Sequence, residues 1–245
     1  MIEVREVHKS FGANAVLRGS SLQIDAGEAI VIIGRSGGGK SILLKHLIGL
    51  LRPDKGSVRV GGVDIAELSE RKLLPIRRRF GMLFQGAALF DSMTVAENVG
   101  FVLQRERHHT EGEIARQVLE ALEMVDLPGI ESKKPAELSG GMRKRVGLAR
   151  AIVYRPEIIL YDEPTTGLDP IAAGVIDKLI RRVWSQLKVT SIAVTHDLKS
   201  AETISDRILM LNEGRIHGDG PTAEILRSTD PIISNFVHGI PTETR

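Results

Sequence analysis

The chain has 245 residues, 42% hydrophobic and 26% charged, with a formal net charge of +2 and no cysteine. That length holds one sizeable α/β domain with room for an inserted subdomain. The small net charge and 4% aromatic content argue against a nucleic-acid partner, and the lack of cysteine excludes disulfides, iron–sulfur clusters and thiolate zinc sites.

In chain order, short β-rich apolar runs alternate with helical patterns, which predicts an α/β fold with a largely parallel sheet. Residues 2–7 and 22–24 read as strands of an N-terminal antiparallel β portion. Residues 29–33 (Ala-Ile-Val-Ile-Ile) form a continuous apolar run, as expected of a strand buried on both faces. Residues 42–51 carry apolar side chains at helical spacing. Further buried strands are predicted at 81–84, 158–161, 191–194 and 208–211. Between about 85 and 155 the pattern turns helical, with helices over 95–103 and 113–124 separated by a polar stretch at 105–112. The expected organisation is a single domain over 1–220, with a helical subdomain at about 86–155 inserted in its core. A C-terminal tail over 221–245 follows, with a short helix at 222–228 and a mobile end at 241–245. The N-terminus, Met1-Ile2-Glu3-Val4-Arg5-Glu6, lacks the pattern of a secretory signal, and no apolar run approaches the roughly 20 residues that span a bilayer. The expected location is cytoplasmic, with any membrane role supplied through a partner.

After the strand at 29–33 comes Gly34-Arg35-Ser36-Gly37-Gly38-Gly39-Lys40-Ser41, opening a helix. Glycines there let backbone N–H groups converge on phosphate oxygens at a helix N-terminus. Lys40 is expected to reach the β- and γ-phosphates of a nucleoside triphosphate, and the Ser41 hydroxyl to ligate Mg²⁺. Residues 158–161 deliver Asp162 and Glu163 to the C-terminal edge of a strand, where open α/β sheets place ligands. Asp162 suits Mg²⁺ binding through water, and Glu163 the polarising of an attacking water. His196 and Gln85 also follow predicted strands, His196 placed to contact the γ-phosphate or to orient Glu163 and water, and Gln85 to sense Mg²⁺ and water.

A second element, Leu138-Ser139-Gly140-Gly141-Met142, opens a helix whose apolar residues Met142, Val146, Ala149 and Val153 share one face. Its start is another anion cradle in a chain that already has one. Either it is an ordinary helix cap, or it addresses a nucleotide held by another subunit.

These six motifs in order resemble an ABC-type ATPase subunit over residues 2–220. Walker A matches Gly34 to Ser41, the Q-loop Gln85, the signature Leu138 to Met142, Walker B residues 158–163, the D-loop Gly167-Leu168-Asp169, and the switch histidine His196. The resemblance implies ATP and Mg²⁺, with Phe11 as the aromatic that stacks on adenine and Val16 beside it. It also implies a head-to-tail dimer in which Ser139, Gly140 and Gly141 of one copy face the nucleotide of the other, driving a membrane-spanning permease.

Met142 in the signature, the segment from Phe84 to Val95, Asp169-Pro170-Ile171 and the tail around Asp230-Pro231 resemble the Mla/Mce lipid-transport ATPases. That resemblance implies phospholipid movement between bacterial membranes, a place on the cytoplasmic face of the inner membrane, an Mce-domain lipid-binding protein and a STAS-domain regulator. The alternatives are another importer, for amino acids or toxins, and a soluble ABC ATPase without a transport role. The basic runs Arg77-Arg78-Arg79 and Arg143-Lys144-Arg145 read as solvated faces, His108-His109 as too isolated for a metal, and Trp184 and Met124 as core.

Overall fold

The computed structural model describes residues 1–106 and 108–241; Arg107 and the end of the tail, 242–245, lie outside them. The elements are β1 (Ile2–Phe11), β2 (Asn14–Ile24), β3 (Ala29–Ile33), α1 (Lys40–Leu47), β4 (Lys55–Val60), β5 (Val63–Asp64), α2 (Glu70–Arg77), β6 (Phe80–Leu83), α3 (Val95–Glu106), α4 (Glu111–Met124), α5 (Gly140–Ile152), β7 (Ile158–Asp162), α6 (Pro170–Leu187), β8 (Thr190–Val194), α7 (Leu198–Ile204), β9 (Arg207–Asn212), β10 (Arg215–Pro221), α8 (Thr222–Leu226) and α9 (Pro231–Val237). Contacts gather the chain into two compact units, one of Met1–Arg78 with Thr190–Arg245 and one of Arg79–Val189.

In the first unit, β2, β1, β4 and β5 form an antiparallel sheet in that order. The strands β1 and β2 run further than the apolar pattern indicated, pairing out to Phe11 and Asn14. Register shifts between Val4 and Val7, with Glu6 at φ 46°, break the period-two alternation that marks a strand in sequence. The strand β3 is buried along its whole length. It pairs in parallel with β8, Ile32 opposite Val194, and with β9, Ile33 opposite Met210, while β10 adds antiparallel to β9. Helix α1 ends at Leu47, short of the predicted 51, because Gly49 takes φ 69°. The Gly49 and Leu50 N–H groups close the helix on the His46 and Lys45 carbonyls, at 3.1 and 2.8 Å. Helix α9 starts at Asp230, whose carboxylate accepts from Ile232 and Ile233 N–H, and its buried Ile233 lies over Gly218 of β10.

The second unit contains the parallel pair β6–β7, with Leu83 opposite Tyr161, and helices α3 to α6. Helix α5 packs on β6, α3, α4 and α6, which is why its residues from Val146 to Ala149 are all buried. Helix α6, unmarked by the reading above, has a clear start in sequence: Asp169 caps it by accepting from Ile171 and Ala172 N–H, and Pro170 follows at the first helical position. Buried Asn98 orders the turn before α3, its amide accepting from Phe90 N–H and donating to the Phe90, Met93 and Thr94 carbonyls. Trp184 and Met124 are half-buried and not core as expected; Trp184 carries the Arg181 guanidinium 4.2 Å from its ring centre. No helix among the described residues is long and apolar enough to cross a membrane.

Candidate functional site

The first unit holds the phosphate-loop half of the expected site. The loop leaves β3 through Gly34, at φ 151°, where a Cβ would lie 2.3 Å from the Leu211 carbonyl oxygen. Only glycine fits there. Gly37 and Gly39 also take positive φ, and a turn closes between them and Arg35, Gly38 N–H donating to the Arg35 carbonyl at 3.0 Å. Arg35, Ser36 and Gly37 are exposed at the crest of the loop. Helix α1 begins beyond Gly39 with no side-chain cap, and a helix N-terminus behind a glycine-rich loop is the arrangement anion sites use. Buried Lys40 bridges the loop, donating to the Gly34 and Arg35 carbonyls at 2.8 and 3.1 Å, and half-buried Ser41 follows it.

Because Ile32 and Val194 are register partners on adjacent parallel strands, Gly34 and His196 emerge at the same level of the same sheet edge. Thr195 N–H still reaches the Ile32 carbonyl, at 3.3 Å. His196 is exposed, just ahead of Asp197, which caps α7. Val16 on β2 backs the loop, its Cγ1 2.9 Å from where a Gly39 Cβ would stand. Phe11 is the last residue of β1, 47% exposed, with the Lys9 ammonium 5.6 Å from its ring centre. An exposed aromatic face beside a cation suits stacking by a flat ring.

The second unit repeats this geometry with acidic and amide groups. Two residues past the register pair Leu83 and Tyr161, Gln85 and Glu163 leave neighbouring parallel strands together. Asp162 is buried. Glu163 takes φ 48°, and its Oε2 accepts from the Thr166 hydroxyl at 3.1 Å. The signature residues stand at the start of α5, where Ser139 accepts from Met142 N–H at 3.3 Å. The cap reading is therefore right as far as this chain goes. Yet Ser139, Gly140 and Gly141 also line an open cleft of about 490 Å³ together with Gly167, Leu168 and Asp169, which leaves the glycine faces accessible.

The basic runs are only partly solvated: Arg78 and Arg143 are exposed, but most of their neighbours are engaged. Arg77 donates to Glu70 and to the Ile48 and Gly49 carbonyls, and Arg79 forms a two-pronged pair with Glu157. Arg143 donates to the Leu138 carbonyl and Arg145 to that of Asp126. Lys144, which no motif marked, is 5% exposed and ends between the Gln85 and Glu163 carbonyls, at 2.5 and 3.2 Å. Burial lowers its pKa, against the raising influence of the Glu163 and Asp162 carboxylates. Its partners lie 59 and 19 residues away, so no local pattern could have found it.

Among the described residues no three His, Cys, Asp or Glu side chains gather into a metal cage. The expected donors, the Ser41 hydroxyl, the Gln85 amide and the Asp162 carboxylate, are hard oxygens with a single charge. That set suits Mg²⁺, which keeps several waters and arrives on a nucleotide's phosphates, and does not suit a softer resident metal.

Comparison with known proteins agrees with this geometry. The sequence profile of the family described as ABC transporter matches residues 17–166. The probable ribonucleotide transport ATP-binding protein mkl of Mycobacterium leprae is 45% identical over 238 residues, 97% of this chain and 69% of its own length. Protein TRIGALACTOSYLDIACYLGLYCEROL 3, chloroplastic, of Arabidopsis thaliana is 44% identical over 256 residues, 98% of this chain and 74% of its own. The intermembrane phospholipid transport system ATP-binding protein MlaF of Haemophilus influenzae is 39% identical over 239 residues, 98% of this chain and 90% of its own. Among solved structures, a dimeric post-hydrolysis ATP-binding cassette bound to ADP and Pi superimposes with a TM-score of 0.83 at 32% identity, covering 91% of this chain and 99% of that one. Motif order, fold and sequence thus converge: the chain belongs to the ABC transporter family, as an ATP-binding subunit that hydrolyses ATP.

Proposed function

We propose that this chain is the ATPase of a transporter that moves phospholipids or related lipids between membranes, docked through a permease on the cytoplasmic face of the inner membrane. The supporting observation is its likeness to the phospholipid-transport ATPase over 98% of this chain and 90% of that relative, together with Met142 in the signature. The ribonucleotide name carried by a relative of higher identity keeps another cargo as the second reading. A reconstituted complex separates the two. ATP-dependent transfer of labelled phospholipid between vesicles is expected, and uptake of a ribonucleotide or amino acid without lipid transfer would overturn the lipid reading.

In the proposed mechanism, N–H groups of the Gly34–Ser41 loop and Lys40 bind the triphosphate, Phe11 stacks on adenine, and Val16 supports the loop. Ser41, Gln85 and Asp162 would hold Mg²⁺, which when bound neutralises phosphate charge as the bond to the leaving group breaks. Glu163 orients and polarises the attacking water, and His196 steadies the γ-phosphate. Ser139, Gly140 and Gly141 address the nucleotide of a second copy in a head-to-tail dimer. Ser139→Ala is expected to lower the hydrolysis rate about tenfold while ATP binding by the isolated chain stays unchanged. Loss of binding by the monomer would instead place Ser139 in its own chain's pocket.

The partners proposed are the permease, an Mce-domain lipid-binding protein and a STAS-domain regulator on the helical side. There α3 and α4 leave a largely apolar groove of about 580 Å³ around Ile114, Val118 and Leu119. The tail from Asp230 is proposed as an assembly element. Deleting residues 230–245 is expected to weaken co-purification of the permease, and an unchanged complex would exclude that role.

A further inference from the structure

We propose that Lys144 is a positioning residue, whose buried ammonium locks the Gln85 turn and Glu163 into one arrangement competent for hydrolysis. The inference rests on the proposed roles of Gln85 and Glu163. Burying an ammonium is costly unless its donors are used, so a site that needed only packing would be better served by an apolar side chain. Here two donors are spent on two backbone carbonyls, those of Gln85 and Glu163. Both carbonyls belong to residues proposed to touch water and Mg²⁺.

The backbone at those points needs holding. Glu163 is left-handed at φ 48°, and Ala87 and Ala88, in the turn after Gln85, sit at φ 61° and 49°. Left-handed backbone at a non-glycine residue is strained. Helix α5 secures all three. Arg150 donates to the Ala87 and Ala88 carbonyls at 2.6 Å each. Gly147 lets the helix close on Leu83 and Ala87, where a Cβ would stand 2.9 and 3.2 Å from their side chains. Lys144 completes the series by fixing the peptide that follows Glu163, and with it the direction in which the carboxylate leaves the strand. The same helix presents Ser139 and Gly141 at its start. A shift of the signature end is therefore delivered through Lys144 to both groups that order water in its own chain.

The test uses the full-length chain, with steady-state hydrolysis, fluorescent-nucleotide binding and thermal unfolding measured on Lys144→Met, Lys144→Arg and Glu163→Gln. Lys144→Met keeps the length and apolar stem without the donors. Its kcat is expected to fall at least about tenfold with nucleotide affinity within about twofold of the parent. Lys144→Arg, which retains a fixed charge and several donors, is expected to recover most of that loss. Unchanged kcat in Lys144→Met overturns the inference, as does a loss seen only in KM or affinity. An Arg variant as slow as the Met variant also overturns it, and if the Met chain does not fold, an Arg variant at least about tenfold slower than the parent overturns it. Slow turnover in Glu163→Gln alongside full turnover in Lys144→Met sinks this inference alone. Full turnover in Glu163→Gln sinks instead the reading on which it rests.

Discussion

Glu163→Gln is expected to bind ATP as the parent does, to hydrolyse it two to three orders of magnitude more slowly, on the order of losses seen when a single charge-stabilising group is removed, and to accumulate as a dimer. The amide is isosteric with the carboxylate. Its oxygen still accepts from the Thr166 hydroxyl, the bond now made by Oε2 at 3.1 Å, so the φ 48° backbone is left undisturbed. What disappears is the negative charge proposed to orient and polarise water, while the phosphate loop on β3 and α1 keeps all its groups. Binding and chemistry are thus separated by one atom. Rate measurements with size-exclusion chromatography in ATP check both halves, and wild-type turnover would remove Glu163 from the mechanism.

A large effect on stability is expected at Gly81, on β6 and away from the nucleotide groups. A Cβ there would stand 2.2 Å from the Ala151 carbonyl oxygen and 3.1 Å from Pro156 Cγ. The oxygen belongs to the backbone of α5 and cannot rotate aside, so strand and helix must separate. Gly81→Ala is expected to destabilise by about 3 kcal/mol, the upper part of the range for overpacking, lowering the melting temperature by roughly 6–12 °C for a chain of this size. Gly174, inside α6 of the same unit, has open space where its Cβ would be, so Gly174→Ala is expected to stabilise by about 0.5–1 kcal/mol through helix propensity. Thermal unfolding of the two variants decides the matter. Equal effects would mean that close backbone approach at Gly81 is not what requires glycine there.

Several elements could be read from sequence because their cause is local. The five residues of β3 are all apolar and β-branched or small, and the strand appears at the predicted bounds. Helices α3 and α4 appear where apolar spacing placed them, α4 reaching back to Glu111 because Thr110 and Glu113 form a capping box. Where cause and residue are distant, the pattern failed. The far end of β1, from His8 to Phe11, was missed because register shifts break its alternation. The strand β10 was missed because Arg215, His217 and Asp219 leave its outward face polar. The run from Arg143 to Arg145 looked like a wet helix face because charge is visible in sequence, whereas the carbonyls receiving those donors are not.

The sequence by itself determined the chemistry: a glycine-rich loop opening a helix, a carboxylate pair after an apolar strand and a signature helix, in an order that names the family, since phosphate binding depends on short backbone segments that glycine and a helix start specify locally. Only the tertiary structure decided how those groups are held. Strand register sets Gly34 level with His196 and Gln85 level with Glu163, and the buried ammonium of Lys144 joins the last two, because pairing and burial bring together residues that sequence spacing keeps apart.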